Sequence, residues 1–427
     1  MSRPRVAFYG DDFTGSVDAL LQFAKQGWTG RLFTTVPSRE ALERAASECD
    51  VVGIAGIARS LTVEQLDAEV RPALAALAAL GAAVVQYKAC STADSSPTVG
   101  NLGRVLEIAR EEIGTATIPM VFAQPDFGRY TVFGHHFAAE GGRVHRLDRQ
   151  PTMSHHPSTP MTESELAVHL SRQTDLAIGA VPFTSYRDGP TLAQTIRDAS
   201  EAALVLDALD AAHLALIGSA IAHLPGPVFS LGSGGLSTAI AAAASAKRIA
   251  PPRTTPYRGL PVLAVSGSRS PQSRRQADAA AAAGWWVAPL AEDPATMQVD
   301  TVLAALAQGR SVALTSDDAE FAAEDSSVLE RIARAAATVV AAAAHAHSIS
   351  RVIVCGGDTS SRITRLLAVE SLSIAANPEG NIALCAARSA DPTVDGLEML
   401  LKGGQVGDDD LFEAIRTLGA EPHLSSR

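Results

Sequence analysis

A chain of 427 residues is longer than one hydrophobic core usually serves, so two domains are expected. Hydrophobic residues at 47% and charged residues at 19% exclude a disordered chain. A formal charge of −11 argues against a nucleic-acid or anionic-membrane surface as the main function.

Along the N-terminal half, short apolar runs predict strands: RVAFYG at 5–10, DVVGIAG at 50–56, AAVVQYKA at 82–89 and TIPMVFA at 117–123. Helical spacing lies between them, at 16–27 and at 62–81, where Leu66, Val70, Leu74, Leu77 and Leu80 recur every three or four residues. Apolar strands without strict alternation, separated by amphipathic helices, predict a mostly parallel sheet covered on both faces. Residues 125–165 break the rhythm with two His pairs and with Pro151, Pro157 and Pro160. They are too long for an ordinary connection, so an insertion or a functional excursion is expected there. LAIGAVPF and LALIGSA return to the α/β pattern, and residues 226–246 read as strand, glycine turn and helix.

A proline-rich stretch at 247–261 predicts the domain boundary, giving domains 1–250 and 251–427. Beyond it, strands are expected at 261–266, 311–316, 351–357, 371–376 and 381–387. A long Ala-rich helix is expected before residue 349, with an apolar stripe of Leu329, Ile332, Ala336 and Val339. The fold class is therefore α/β: two domains with mostly parallel sheets flanked by helices, and a ligand cleft expected between them.

The densest chemistry is GDDFTGSVDAL, where Asp11 and Asp12 follow a strand and Asp18 lies in the helix beyond. Strand ends that lead into helices are where open α/β sheets hold ligands. If the strand continued, the two acids would point to opposite faces, leaving Asp12 as first choice for an acceptor-activating carboxylate and Asp11 as second. The helix is expected to begin near Gly15 with free N–H groups for an anion; an Asx turn with an N-cap is the competing reading. In YKACSTADSSPTVGNLG, Lys88 is expected to meet a substrate carboxylate, with Ser91, Asp94 and the other polar groups suited to hydroxyls. Arg59 and Arg129 are further candidates for that charge. The pairs His135–His136 and His155–His156 lack metal-ligand spacing, so His135 and His156 are read as substrate contacts and no metal site is expected. Three glycine-bearing strand ends, SGSRSP, CGGDTS and LKGGQVGDDD, offer the unhindered amides that nucleotide phosphates need.

These motifs together resemble the four-carbon acid sugar kinase family, from about residue 5 to residue 417. The resemblance implies an N-terminal sugar-acid domain, a C-terminal ATP domain and transfer of the γ-phosphate to a terminal hydroxyl. It places Gly10–Gly15 at the family's GDDxTG, and Ser266, Gly267 and Ser268 in its SGSxSP stretch. Gly356, Gly357, Asp358 and Thr359 fall on the GGxTS stretch, and Lys402, Gly403 and Gly404 on the terminal Lys-x-Gly. ATP with Mg²⁺ is the implied cofactor pair, and a sugar acid the implied partner. The loop after Lys88 departs from the family's KKxDSTLRGNxG in lacking the arginine. This shifts the expected acid toward 3-oxo-isoapionate or a 3-oxo-tetronate, with threonate or erythronate as the alternative. A sugar-acid dehydrogenase is disfavoured by the lack of an early GxGxxG, and a pure sugar-acid-binding protein by three glycine loops in one lobe. No secretory leader or apolar run of about 18 residues occurs, and the four cysteines are scattered, which predicts a reduced cytoplasmic protein. Oligomeric state is left open, a homo-oligomer included.

Overall fold

The computed structural model describes residues 4–243, 250–293, 298–316 and 327–420. They form two compact units, 1–250 and 251–427.

In the first unit, β1 (Val6–Gly10), β2 (Gly30–Phe33), β3 (Val51–Ala55), β4 (Val84–Lys88) and β5 (Ile118–Val121) come first. A small antiparallel sheet follows, β6 (Arg129–Val132), β7 (His135–Glu140) and β8 (Arg143–Arg146), and then β9 (Ile178–Val181), β10 (Ala203–Leu206) and β11 (Val228–Gly232). The large sheet runs β2-β3-β1-β4-β11-β5-β10-β9 and is parallel throughout. All five residues of each of β1, β3 and β4 are buried, which explains their unbroken apolar runs: a strand covered on both faces has no polar side to alternate with. The helix Val63–Ala78 buries Leu66, Val70, Leu74 and Leu77 against that core.

Chain order fixes where a ligand site belongs. From β1 the chain winds through β2 and β3 on one side, then crosses to β4 on the other, so β1 and β4 flank a topological switch point. Helices on either side of such a point start from opposite faces and leave a crevice at the carboxyl ends of the two strands.

The second unit repeats this winding. Its strands are β12 (Val262–Ser266), β13 (Trp286–Pro289), β14 (Val312–Thr315), β15 (Arg351–Cys355), β16 (Val369–Ala376), β17 (Leu384–Ser389) and β18 (Glu398–Lys402), in the order β13-β14-β12-β15-β18-β17-β16. The first five strands in that order are parallel, and β17 and β16 complete the sheet antiparallel. The switch point lies between β12 and β15.

LALIGSA, expected as part of the α/β pattern, lies inside the helix Ala211–Ala222. One detail differs from expectation. In the helix Val328–His345, Ile332, Ala336 and Val339 are buried as a stripe, but Leu329 is exposed because it sits in the first turn. Residues 322–326, expected to start that helix, and 244–249, expected to end the preceding unit, lie outside the described residues.

Candidate functional site

At the first switch point, Asp11 N–H donates to Lys88 O at 3.0 Å and Arg59 N–H to Asp11 O at 3.0 Å, which ties together the ends of β1, β3 and β4. The strand stops at Gly10, so the two acids do not diverge as expected. Arg59 Nη2 stands 2.6 Å from Asp11 Oδ1 and 2.6 Å from Asp12 Oδ1. The following helix starts at Phe13, not near Gly15, with Asp12 as its N-cap. Asp12 Oδ1 accepts from Gly15 N–H at 3.1 Å and Oδ2 from Thr14 Oγ1 at 2.8 Å. The anion position expected there is therefore filled by the chain's own carboxylate. Capping does not remove Asp12 from chemistry: its side chain keeps 24% exposure, whereas that of Asp11 has 1%.

The two carboxyls differ in acidity for physical reasons. Burial pushes Asp11 up to about 6, with Arg59 only partly countering it and Asp12 adding repulsion. Burial acts on Asp12 as well, but Arg59 and Lys88, with the bonds from Thr14 and Gly15, outweigh it and hold Asp12 below the usual range. Asp12 is the ionised, reachable member of the pair.

Lys88 is 3% exposed. Its Nζ donates to Ala89 O at 3.0 Å and lies 3.8 Å from Asp18 Oδ2. A side chain on Gly15 would start 2.2 Å from Asp12 Oδ1 and 3.2 Å from Lys88 Nζ, so only glycine fits between them. Asp18 is held in turn by Gln22 at 2.8 Å and more loosely by Gln124 at 3.3 Å. Asp18's role was not assigned from sequence; its position one helical turn beyond Gly15 was the available signal.

The polar loop after β4 and the excursion after β5 come together. His136, fully buried, donates from Nε2 to Ser91 O at 2.7 Å and meets Thr131 Oγ1 through Nδ1 at 3.0 Å. A carbonyl accepts only, so the ring is the Nε2–H tautomer, and burial pushes its pKa down to about 4. Thr159 donates to Asp94, whose Oδ1 is 3.9 Å from His156 Nδ1. Ser95, His169 and Gln173 form a buried chain, and Gln173 Oε1 accepts from Leu102 N–H at 2.8 Å. His135 turns away to Ser164 at 3.0 Å. Arg129 donates from Nη1 to Phe127 O at 2.7 Å and Ala139 O at 3.2 Å.

In the second unit, three glycine-bearing loops gather at the other switch point. Gly267 N–H donates to Cys355 O at 3.0 Å, Gly356 N–H to Lys402 O at 2.8 Å, and Ser316 N–H to Ser266 O at 2.9 Å. Ser270 Oγ and Ser273 Oγ both donate to Gly404 O, at 2.5 and 3.0 Å, fixing the Ser268 loop to the Gly403–Gly404 turn. The helix Gly357–Leu366 opens here, and among the described residues no acceptor meets the N–H groups of Gly357, Asp358 or Thr359. Two buried hydroxyls, Ser316 and Ser360, also lack partners among the described residues. Free amides at a helix start are suited to an anion. Asp358 is exposed, while Lys402 is buried, its Nζ 3.4 Å from Ser273 Oγ and 3.5 Å from Gly404 O.

Two domain models match the chain in order. Residues 6–240 match the model of a sugar-binding N-terminal domain, and residues 263–412 that of a nucleotide-binding C-terminal domain. The chain is 37% identical over 443 residues to 3-oxo-isoapionate kinase of Paraburkholderia graminis, covering 96% of this chain and 94% of that one. It is 29% identical over 431 residues to a 3-oxo-tetronate kinase of Pseudomonas fluorescens, covering 96% of each. A Haemophilus influenzae crystal structure shares the fold with a TM-score of 0.77 at 20% identity, covering 97% of this chain and all of the other. With both domain models matched in order and curated sugar-acid kinases aligned from end to end, the chain belongs to the four-carbon acid sugar kinase family and is an ATP-using sugar-acid kinase.

Proposed function

We propose that this kinase transfers the γ-phosphate of ATP to a terminal hydroxyl of a branched or 3-oxo sugar acid, with 3-oxo-isoapionate the first candidate and a 3-oxo-tetronate the second. The observation that carries this is the 37% identity to 3-oxo-isoapionate kinase along nearly the whole of both chains. The arginine-free loop after Lys88, rich in small polar residues, supports it, because smaller side chains demand less room than an arginine would.

On this reading, residues 1–250 bind the acid and residues 251–427 bind the nucleotide. Asp12 accepts a hydrogen bond from the acceptor hydroxyl and takes its proton as the phosphorus–oxygen bond forms. A weakly basic carboxylate suffices, because transfer through a loose transition state rests on positioning and electrostatics. Arg59 and Thr14 fix the orientation of that carboxylate, and Lys88 keeps it ionised. Ser91, Asp94 and His156 line the sugar-acid side, while His135 is engaged by Ser164.

The phosphates lie against Ser266–Ser268, the amides of Gly357–Thr359 and the turn at Gly403–Gly404, which Lys402 supports from beneath. A hollow of about 700 Å³ lined by Gln272, Gln405 and Asp408–Asp410 is too acidic for phosphate and suits ribose or base. Mg²⁺ would accompany ATP, and Asp358, the exposed acid in the first turn of the helix Gly357–Leu366, would share it with the phosphates. When bound, it neutralises phosphate charge. Use of ATP supports a cytoplasmic location for this enzyme. No helix among the described residues is long and apolar enough to cross a membrane.

The test is ADP release from ATP against a panel of C4 and branched C5 sugar acids. A clear kcat/KM preference for threonate or erythronate would remove the branched and 3-oxo assignment and leave the kinase reading intact.

A further inference from the structure

We infer that Arg129, and not Lys88, receives the carboxylate of the sugar acid. This deepens the proposed function and rests on it.

The argument starts from charge. Around the ends of β1, β3 and β4, two cations, Arg59 and Lys88, face three carboxylates, Asp11, Asp12 and Asp18. Arg59 is committed to two of these, and Lys88 stands against Asp18. A substrate carboxylate brought to either would compete with groups already in place and add a fourth negative charge. An anion needs a cation whose charge is not already matched.

Arg129 is in that condition. Among the described residues no carboxylate lies within ion-pair distance of it. Its Nη1 is tied to two neutral carbonyls, and its enclosed Nε–H has no acceptor. Carbonyls fix the plane of a guanidinium without neutralising it. Burial correspondingly pulls its pKa down, since the charge lacks compensation. Glu140 is close enough to influence it, but that carboxylate is engaged by Gln150 and by Thr152 Oγ1.

The direction is set by the small antiparallel sheet. Arg129 and Thr131 are two residues apart on β6 and share a face, opposite Ala138 and His136 on β7. Thr131 and His136 are the pair that reaches Ser91 O, so this face looks onto the loop that follows Lys88. Cys90 in that loop interacts electrostatically with both Arg59 and Arg129. The guanidinium thus stands on the acid-binding side, held in one orientation, with donors unused. A planar fork of this kind suits a carboxylate better than an ammonium does.

The experiment compares each acid of the panel with the uncharged polyol of the same carbon skeleton, using ADP release by the full-length enzyme. Arg129→Gln should lower kcat/KM for the acid by about 100-fold while leaving the polyol and the KM for ATP nearly unchanged, so that the acid-over-polyol preference collapses. Arg129→Lys, which keeps the charge and loses the fork, should recover part of that preference and guards against misfolding of the Gln variant. Lys88→Met should lower acid and polyol by similar factors. Equal loss on acid and polyol in Arg129→Gln, or a collapse of the preference in Lys88→Met alone, overturns the inference. If the wild-type enzyme turned over no acid at all, both this inference and the proposed function would fall.

Discussion

The guanidinium of Arg59 and the carboxylate of Asp12 lie 2.6 Å apart although 47 residues separate them in the chain. That contact gives Asp12 two roles, one electrostatic and one as the cap of the helix Phe13–Lys25, and the roles are separable by mutation. Asparagine caps a helix about as well as aspartate but carries no charge and cannot act as a base. Asp12→Asn should therefore fold with near wild-type stability and lose about 100-fold or more in kcat. Asp12→Ala should lose a similar factor in kcat and about 1 kcal/mol of stability besides. Turnover and urea denaturation on both variants check this; wild-type kcat in a folded Asp12→Asn variant would reduce Asp12 to a cap.

Asp11 makes a prediction in pH. Its folded-state pKa of about 6 lies above the ordinary 3.8, so between those values the folded protein holds a proton that the unfolded chain has released. Stability from this group is therefore fully present below the ordinary pKa and is lost as pH rises through about 6. Asp12, depressed in the fold, contributes in the opposite sense, and only in the acid range below its ordinary value. The melting temperature of wild type relative to Asp11→Asn should fall between about pH 4 and pH 7. A difference that stays flat across that range would mean Asp11 is ionised throughout.

Crowding the glycine loops should hurt the nucleotide selectively. A methyl at Gly267 would begin 2.1 Å from Thr359 Oγ1, and Gly356 holds φ at +112°, which a side chain strains. Strain of 1–2 kcal/mol at these positions corresponds to roughly a ten-fold rise in the KM for ATP in Gly267→Ala and Gly356→Ala. The KM for the acid should stay within about two-fold by the same reasoning, and an equal rise in both would place the loops in general folding instead.

Metal removal gives a fourth outcome. His135 and His136 turn to different partners, Ser164 and Ser91, and His155 bonds locally to Ser154. Protein purified without added metal should hold no stoichiometric zinc, and activity abolished by EDTA should return with Mg²⁺. One tightly held zinc per chain, lost with activity in a His135 variant, would overturn the assignment of the metal to ATP.

The strands that form the sheet centres were legible because burial on both faces leaves a continuous apolar run, as in β1, β3, β4, β12 and β15. Those that were not had weaker signals. β2 is GRLF, with an arginine and half-buried first residues; β8 is RVHR and largely solvent-facing; β13, WVAP, is only half-buried. The residue types of the site were readable, but their partners were not. Nothing local in GDDFTG announces Arg59, and nothing in YKAC says that Lys88 is occupied by Asp18 or that Ser91 O is held by His136. Such pairings follow from which strand ends become neighbours, a property of topology. The alternation rule, applied to Asp11 and Asp12, failed because the strand ends at Gly10, one residue before the pair.

The repeated winding has a consequence for how the enzyme avoids binding its substrates in the wrong places. The loop that leaves β1 and the loop that leaves β12 hold the same position in their respective windings, each beside the strand that follows the reversal of chain order. Backbone geometry alone would make both hospitable to phosphate. The first carries Asp11 and Asp12, while the second, Ser266 to Ser270, carries hydroxyls, a glycine and one arginine, and no acid. Acidic side chains disfavour polyphosphate at the first copy of the scaffold, and their absence favours it at the second. A variant that neutralises both Asp11 and Asp12 should show inhibition at high ATP that competes with the sugar acid.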